Sequence, residues 1–115
     1  MITVYGIKTC DSVRKTIKYL KASNIEYTFS DLRQTPPECS QITFWTENVG
    51  LEKLFNSRGT TYRKLELKKL NLTDEQKLEW LCKDSMLIKR PVIEYGKKVL
   101  CGYDEKKFAE ELLWV

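Results

Sequence analysis

The sequence predicts an α/β fold made of a β-α-β unit, a helical insert and a β-β-α unit. Three observations predict it. Two strand patterns separated by a helix pattern occupy about thirty residues at the start, which is the size of a βαβ unit. Apolar residues recur at helical spacing through the middle of the chain, and a hairpin pattern followed by a last helix pattern closes it. The expected sheet is central and mixed, with four strands or fewer.

The first unit begins with Ile2–Tyr5, a β-prone run that Gly6 ends. A helix is expected from Asp11 to Ala22 because apolar residues recur there at helical spacing, and Ser23-Asn24 ends it. Its apolar stripe consists of Val13, Ile17 and Leu20. Ile25–Ser30 then alternates as a strand does. The two strands of such a unit are parallel and joined by a right-handed crossover.

The insert is expected at about residues 37–85, after Pro36-Pro37, and is mostly helical. Gly50 is expected to end its first helix, and Leu51–Phe55 to form a short second one. The apolar face of the first helix consists of Ile42, Trp45 and Val49. Asn56–Gly59 is a polar loop. Thr73–Gln76 has the capping-box pattern that begins a helix. The apolar face of that helix consists of Leu78, Leu81 and Cys82.

The closing unit is a hairpin and a helix. Val92–Tyr95 and Lys98–Cys101 are strand patterns joined by the turn Gly96-Lys97. Asp104 is expected to cap the last helix, since a carboxylate accepts hydrogen bonds from first-turn N–H groups. The inner face of that helix consists of Phe108, Leu112 and Leu113. No repeat, low-complexity tract or long linker interrupts the chain, so we expect a single domain over residues 1–115.

The composition is typical of a globular protein, with 42% hydrophobic and 31% charged residues. No apolar run approaches the ~20 residues of a membrane-spanning helix, and the start of the chain lacks a signal-peptide pattern. We therefore expect a cytoplasmic protein without a membrane partner. The net charge of +4 is modest, which disfavours direct nucleic-acid binding. The basic residues of the first helix fit a solvated face better than an anion-binding patch; they are Arg14, Lys15, Lys18 and Lys21.

The four cysteines lie far apart in the sequence and none forms a C-x-x-C pair; they are Cys10, Cys39, Cys82 and Cys101. Histidine is absent. Together these facts disfavour a structural zinc site, and no metal is expected. A Cys–His nucleophilic pair is excluded as well. In the cytoplasm we expect the thiols to be reduced, and the buried ones to act as small apolar residues.

Cys10 is set apart by its position at the N-cap or first turn of the first helix, just after a strand. Unpaired backbone N–H groups and the positive end of the helix dipole favour a thiolate there. A basic neighbour such as Lys8 or Arg14 adds to this effect, whereas Asp11 opposes it and fits helix capping instead. Open α/β sheets place their sites at the carboxyl ends of strands. Cys10 is therefore the expected redox-active cysteine.

Arg90 and Arg58 are the candidate anion-binding side chains, with Lys8 as a further basic group. Arg90 precedes Pro91 at the entry to a strand, where proline gives up a ladder hydrogen bond and can adopt the cis form. This neighbour would hold the Arg90 guanidinium, whose fork of donors suits an oxyanion. Taken alone, a surface arginine such as Arg58 is more often a solvated charge than a ligand.

Five segments, taken together, resemble the arsenate reductase (ArsC)–Spx family of thioredoxin-fold proteins over essentially the whole chain. The segments are residues 4–11 (VYGIKTCD), 35–37 (TPP), 56–65 (NSRGTTYRKL), 87–91 (LIKRP) and 102–105 (GYDE). The resemblance implies a thioredoxin-like fold. It also implies that Cys10 is the nucleophile and that Arg90 is one of the oxyanion-binding arginines.

Within this family the chain is most similar to the YffB-type, ArsC-like reductases. These proteins share the opening Gly-Ile-Lys-x-Cys-Asp, found here at residues 6–11, and an Arg-Gly-Thr-Thr loop, found here at residues 58–61. The similarity implies a glutathione-dependent thiol reductase with one redox cysteine.

True arsenate reductases of this fold are similar at Cys10 and Arg90 but differ elsewhere. They carry a His-Asn-Pro loop where residues 6–8 read Gly-Ile-Lys, and arginines at the positions of Asn56 and Gly102. Loss of two of three charged donors would weaken the binding of arsenate and of its thiol adduct. Efficient arsenate reduction is therefore not expected.

Spx-type regulators bind the α-subunit of RNA polymerase and are similar to this chain at Gly50, Arg58, Arg90 and the segment 102–103. Their redox switch is a C-x-x-C, whereas here Val13 stands three positions after Cys10. A local disulfide switch is therefore excluded. The alternative function that follows is binding to the polymerase α-subunit without catalysis.

The favoured expectation is an enzyme in which Cys10 attacks an oxidised sulfur or oxyanion of a small-molecule or thiol substrate. Arg58 and Arg90 would hold the negative charge of that substrate. Glutathione, thioredoxin or glutaredoxin would supply the resolving thiol, with no tightly bound cofactor. Cys101 is a further candidate for an internal resolving thiol, although a cysteine on a central hairpin is usually part of the core.

Overall fold

The structure, a computed structural model, describes residues 2–113. A helix follows the first strand, a run of helices follows the second, and two strands and a helix end this part of the chain. The strands are β1 (Ile2–Gly6), β2 (Tyr27–Asp31), β3 (Val92–Tyr95) and β4 (Lys98–Cys101). The α-helices are α1 (Asp11–Ala22), α2 (Cys39–Val49), α3 (Leu51–Leu54), α4 (Thr60–Lys64), α5 (Asp74–Lys83) and α6 (Glu105–Glu111). Short 3₁₀ helices span Leu67–Leu70 and Ser85–Leu87.

The chain divides into two compact units. The first consists of the described residues up to Asp31 and from Arg90 onward, and the second of Leu32–Lys89. The first unit contains the whole sheet with α1 and α6, and the second contains α2 to α5.

The sheet has the strand order β2-β1-β3-β4. Strand β1 pairs in parallel with β2 and antiparallel with β3, and β3 pairs antiparallel with β4. The predicted fold class is therefore confirmed: an α/β protein with a mixed, four-stranded sheet in the order β-α-β, helical insert, β-β-α. Because β1 has a partner on each side, the chain that leaves its end is held at the centre of the sheet.

One apolar cluster holds α1 and α6 on a face of the sheet. Ile2 and Val4 of β1 lie opposite Tyr95 and Ile93 of β3 in the antiparallel register, so all four side chains share that face. The cluster consists of Ile2, Val4, Leu20, Ile93, Tyr95, Leu100, Phe108 and Leu112. Since Leu20 belongs to α1 and Phe108 to α6, burial of apolar surface stabilises both helices on the sheet.

In the second unit, helix α2 packs against α5 and both contribute to its interior. Trp45 of α2 and Leu81 of α5 are fully buried. Helix α5 begins with the predicted capping box. The backbone N–H of Gln76 donates to Thr73 Oγ1 (3.2 Å), and the backbone N–H of Thr73 donates to Gln76 Oε1 (2.9 Å). Gly50 ends α2 as predicted, with a φ of 91° that favours glycine.

Strand β2 differs from the prediction, because it begins at Tyr27 rather than Ile25. The Ile25 amide donates to the Leu20 carbonyl (2.9 Å), and Asn24 has a φ of 56°. Ile25 therefore belongs to the end of α1.

Two further differences lie outside the sheet. Leu113 is 50% exposed because α6 ends at Glu111, so the helical spacing that predicts burial does not extend to it. Helix α4 carries no buried residue, and for this reason no apolar pattern predicts it.

Candidate active site

Cys10 is the N-cap residue of α1, as the sequence predicts, and its side chain is half-buried. Its backbone is extended (φ −87°, ψ 126°) and its side chain makes no capping hydrogen bond. The Cys10 amide donates to the Ile7 carbonyl (3.2 Å), and the Cys10 carbonyl accepts from the Arg14 amide (3.0 Å). Backbone groups alone therefore fix this residue, and the sulfur is not used to cap the helix.

A close approach between Gly6 and Val13 sets where α1 starts. A Cβ atom at Gly6 would lie 2.5 Å from Cγ2 of Val13, which is fully buried. Only glycine leaves room for this contact between the last residue of β1 and the first turns of α1. The short connection of residues 7–10 is thereby held at the end of the central strand.

The strand register brings the predicted site residues of the first unit to one edge of the sheet. Tyr5, near the end of β1, lies opposite Val92, the first residue of β3. Because β3 runs antiparallel to β1, Arg90 and Pro91 stand at the same edge as the segment from Lys8 to Cys10. The structure thus brings Lys8, Cys10, Arg90 and Pro91 together at the carboxyl end of β1.

The Arg90-Pro91 bond is cis, and Pro91 is buried while Arg90 is half-buried. The Pro91 carbonyl accepts a hydrogen bond from the Gly102 amide (2.8 Å). Gly102 has a φ of 90°. The position at which true arsenate reductases are expected to carry an arginine is therefore occupied here by a glycine that bonds back to Pro91.

Charges next to Cys10 are partly balanced within α1. Arg14 donates a hydrogen bond to the carboxylate of Asp11 and forms an ion pair with it. That hydrogen bond, followed by the charge of Arg14, lowers the pKa of Asp11 below its ordinary value. Asp11 thus stays ionised beside the thiol with its charge offset by Arg14. Lys8, which is exposed, and Arg90 are the further basic side chains at this edge.

Arg58 lies in the second unit, in the loop between α3 and α4, and is exposed. The backbone N–H of Arg58 donates to Asn56 Oδ1 (3.3 Å), and the backbone N–H of Asn56 donates to the Leu87 carbonyl (2.8 Å). Asn56, the other position at which an arginine is expected in true arsenate reductases, therefore organises this loop. The role of Arg58 in anion binding stays a prediction.

The expectation that all the thiols are reduced is wrong for two of the remaining cysteines. Cys39 and Cys82 form a disulfide, so these two are not reduced thiols, and Cys82 is not simply part of an apolar face. The two residues are 43 positions apart and meet because α2 packs against α5, a contact that no spacing in the sequence indicates. Cys10 and Cys101 take no part in a disulfide. Cys101 is buried on β4 opposite Val92, which agrees with the packing role.

Among residues 2–113, no three cysteine, aspartate or glutamate side chains cluster as metal ligands would. No helix within the same residues has the length and apolar character to span a membrane. A groove of about 600 Å³ in the second unit is lined by Phe55, Tyr62, Lys68 and Lys77 among others, and no cysteine belongs to its lining.

The comparison with known proteins matches the ArsC family over residues 5–110. An uncharacterized protein of Haemophilus influenzae is 39% identical over 109 residues, covering 94% of this chain and 96% of that protein. The global transcriptional regulator Spx of Listeria innocua is 30% identical over 108 residues, covering 91% of this chain and 82% of the regulator.

Solved structures of similar fold include a YffB protein and a possible arsenate reductase. A YffB protein superposes with a TM-score of 0.89 and 31% identity, covering 97% of this chain and 99% of that one. A possible arsenate reductase from Streptococcus mutans superposes with a TM-score of 0.76 and 35% identity, covering 90% of this chain and 91% of that one.

Proposed function

The chain belongs to the ArsC family, and from that premise we propose that it is a thiol-dependent reductase whose nucleophile is Cys10. The observation that carries the proposal is the position of Cys10, a free and half-buried cysteine at the N-cap of α1 whose side chain makes no capping bond. The N–H groups of the first helical turn stabilise a negative charge at this position, and the thiolate is the reactive form.

In the proposed reaction the Cys10 thiolate attacks one sulfur of a substrate disulfide. A mixed disulfide between Cys10 and that half of the substrate forms, and the other half leaves as a thiolate that takes up a proton. A thiol such as glutathione then attacks the mixed disulfide. This step releases the second half of the substrate as a thiol and leaves glutathione on Cys10.

A second glutathione removes the first and restores the Cys10 thiolate, so the substrate disulfide is reduced while two glutathiones become one disulfide. Thioredoxin or glutaredoxin is the alternative donor. The buried position of Cys101 disfavours it as an internal resolving thiol.

Arg90 supports the binding of an anionic substrate. It is half-buried, stands beside the buried Pro91 and shares the sheet edge with Cys10. A guanidinium at such a site binds carboxylates, which glutathione carries, through paired donors. Lys8 would add a point charge at the same edge, and Arg58 is proposed as a further anion-binding residue on the family resemblance alone.

Reduction of arsenate itself is the less favoured activity. Asn56 and Gly102 replace two charged donors, and both serve the backbone instead, through the hydrogen bonds to Leu87 and Pro91. A neutral loop amide and a glycine offer an arsenate oxyanion far weaker stabilisation than two guanidinium groups.

Formation of a mixed disulfide between Cys10 and glutathione tests the proposal. The full chain is incubated with oxidised glutathione, quenched in acid and mapped by mass spectrometry. Cys10 is expected to carry glutathione well before the buried Cys101 does, and Cys10→Ser is expected to lose the adduct at that position. Cys101→Ser is the matched control and should leave the rate at Cys10 unchanged. Equal rates at Cys10 and Cys101 would contradict the proposal.

A second candidate is a regulator that binds the α-subunit of RNA polymerase without catalysis, which the similarity to Spx favours. In this chain Val13 is fully buried within α1, so Cys10 has no cysteine partner one turn away. Binding would then be independent of Cys10. Capture of the α C-terminal domain by both the native chain and Cys10→Ser would support this function, and failure of both would remove it.

A further inference from the structure

The disulfide between Cys39 and Cys82 joins two helix ends within the second unit. Cys39 is the first residue of α2, and Cys82 lies in the last turn of α5. Their Cα atoms are 5.1 Å apart, within the range of disulfide-bonded pairs. The bond closes a loop of 43 residues, so it constrains most of the segment from Leu32 to Lys89.

The two cysteine residues differ in exposure. Cys39 is exposed to solvent, whereas Cys82 is half-buried. Reactions of thiols with disulfides require an in-line approach to the sulfur that is attacked, so access decides which sulfur an external reagent reaches. A small thiol or disulfide in solution therefore meets Cys39 first.

When the disulfide is reduced, the two thiols lie at helix ends of opposite polarity. At the start of α2, the N-cap Glu38 makes no side-chain capping hydrogen bond, and the first-turn N–H groups favour a thiolate on Cys39. The neighbouring Glu38 carboxylate opposes this effect in part. In the last turn of α5, the negative end of the helix dipole disfavours a thiolate on Cys82. Cys39 is thus the nucleophile of the pair and Cys82 the resolving thiol.

We propose that Cys39 and Cys82 form a second redox site, a reversible dithiol–disulfide couple that exchanges with low-molecular-weight thiols and disulfides such as the two forms of glutathione. Oxidation begins when the Cys39 thiolate attacks a small disulfide, which forms a mixed disulfide on Cys39 and releases one small thiol. Cys82 then attacks the Cys39 sulfur, which forms the internal disulfide and releases the second small thiol. Two protein thiols are oxidised and one small disulfide is reduced, and reduction follows the same steps in reverse.

This site is independent of the reductase proposed above. It uses neither Cys10 nor Arg90, and both of its cysteines lie in the second unit. Its oxidation state decides whether α2 and α5 are covalently joined. The insert therefore carries a redox-controlled crosslink in addition to the thiol chemistry at the sheet edge.

The first experiment titrates the couple in the folded Cys10→Ser chain. The protein is equilibrated in glutathione buffers of increasing oxidised fraction, quenched in acid, alkylated and mapped. A single transition with a two-electron slope is expected between the dithiol and the Cys39–Cys82 disulfide. A disulfide that persists unchanged in excess reduced glutathione, or one that never forms in oxidised glutathione, would overturn the proposal.

The second experiment assigns the roles with matched variants. In Cys82→Ser the mixed disulfide should accumulate on Cys39. In Cys39→Ser the adduct on Cys82 should form at least about tenfold more slowly, because Cys82 is the less exposed residue. Circular dichroism confirms that both variants are folded before the rates are compared. Equal rates at the two positions would overturn the assignment of Cys39 as the nucleophile. Glutathionylation of Cys10 in these same variants reports on the proposed reductase separately.

Discussion

At the scale of single residues, Cys10 has two roles: its backbone holds the start of α1, and its side chain is the proposed nucleophile. The backbone amide and carbonyl of Cys10 hold the start of α1, while its side chain makes no capping hydrogen bond. Serine is among the preferred N-cap residues, so Cys10→Ser removes the thiol at a position that accepts the replacement. Loss of reactivity in this variant therefore reports on chemistry rather than on folding.

Tyr95 gives a prediction at the same scale, since its hydroxyl donates to Glu111 Oε2 (2.9 Å) and so joins β3 to α6. Burial, the hydrogen bond to Glu111 and the charge of Glu111 raise the pKa of Tyr95 to about 12. The folded protein thus favours the neutral phenol. The stability that this contributes is complete below the ordinary pKa of 10.0 and is lost as the pH rises toward about 12.

Tyr95→Phe should lower the free energy of unfolding by about 0.5–1.5 kcal/mol below pH 10, the usual net value of a hydrogen bond. The difference from the native chain should shrink above that pH. Urea unfolding at a series of pH values measures it, with Tyr62→Phe, in the other unit, as the control. A difference that stays constant through pH 10 to 12 would show that the Tyr95 hydroxyl is not the group that titrates.

At the scale of elements, the contact between β1 and α1 is what places Cys10. Gly6→Ala would bring a Cβ to 2.5 Å from Cγ2 of Val13, whose side chain is fully buried. We expect a loss of about 1–3 kcal/mol in the free energy of unfolding, the usual cost of overpacking. We also expect a lower rate of mixed-disulfide formation at Cys10, because α1 must shift.

Gly59→Ala is the matched control for this substitution. Its Cβ would lie 2.6 Å from Nδ2 of Asn56, at the end of a side chain that can turn aside at the cost of the hydrogen bond from the Arg58 backbone amide. The φ of −84° at Gly59 accepts alanine. A smaller loss of stability and an unchanged rate at Cys10 are expected from urea unfolding and peptide mapping. If Gly59→Ala costs as much as Gly6→Ala, tight packing at Val13 is not the cause.

At the scale of the whole molecule, the number of thiols reports on the redox state of the four cysteines. After oxidation of the chain by dissolved oxygen, denaturation without reductant should expose two thiols, Cys10 and Cys101. Complete reduction should expose all four. A colorimetric thiol assay provides both numbers, and four thiols in the unreduced, denatured chain would contradict the disulfide.

Much of this arrangement follows from local patterns in the sequence. The β-prone run of β1, the capping box at Thr73 and the turn at Gly96 each depend on neighbours along the chain, and the structure has each of them. The position of Cys10 at the start of α1 follows in the same way. The sheet edge shared with Arg90 follows once β3 is known to be antiparallel to β1.

Two features depend on contacts that the sequence patterns do not show. The disulfide requires α2 to pack against α5, and residues 43 positions apart carry no signal of that approach. The start of β2 depends on the hydrogen bond from Ile25 back to Leu20, which the alternation of side chains does not show.

The hairpin turn at Gly96 and Lys97 has a practical consequence for handling this protein. Tyr95 lies opposite Ile2, so the turn stands at the end of the sheet away from Cys10. Gly96 and Lys97 are exposed, and a Cβ at Gly96 would meet no atom within 4 Å. A peptide tag inserted between these two residues would attach the protein to a sensor surface with its thiol edge turned toward the solution, so that captured disulfide partners could be read directly on the immobilised chain.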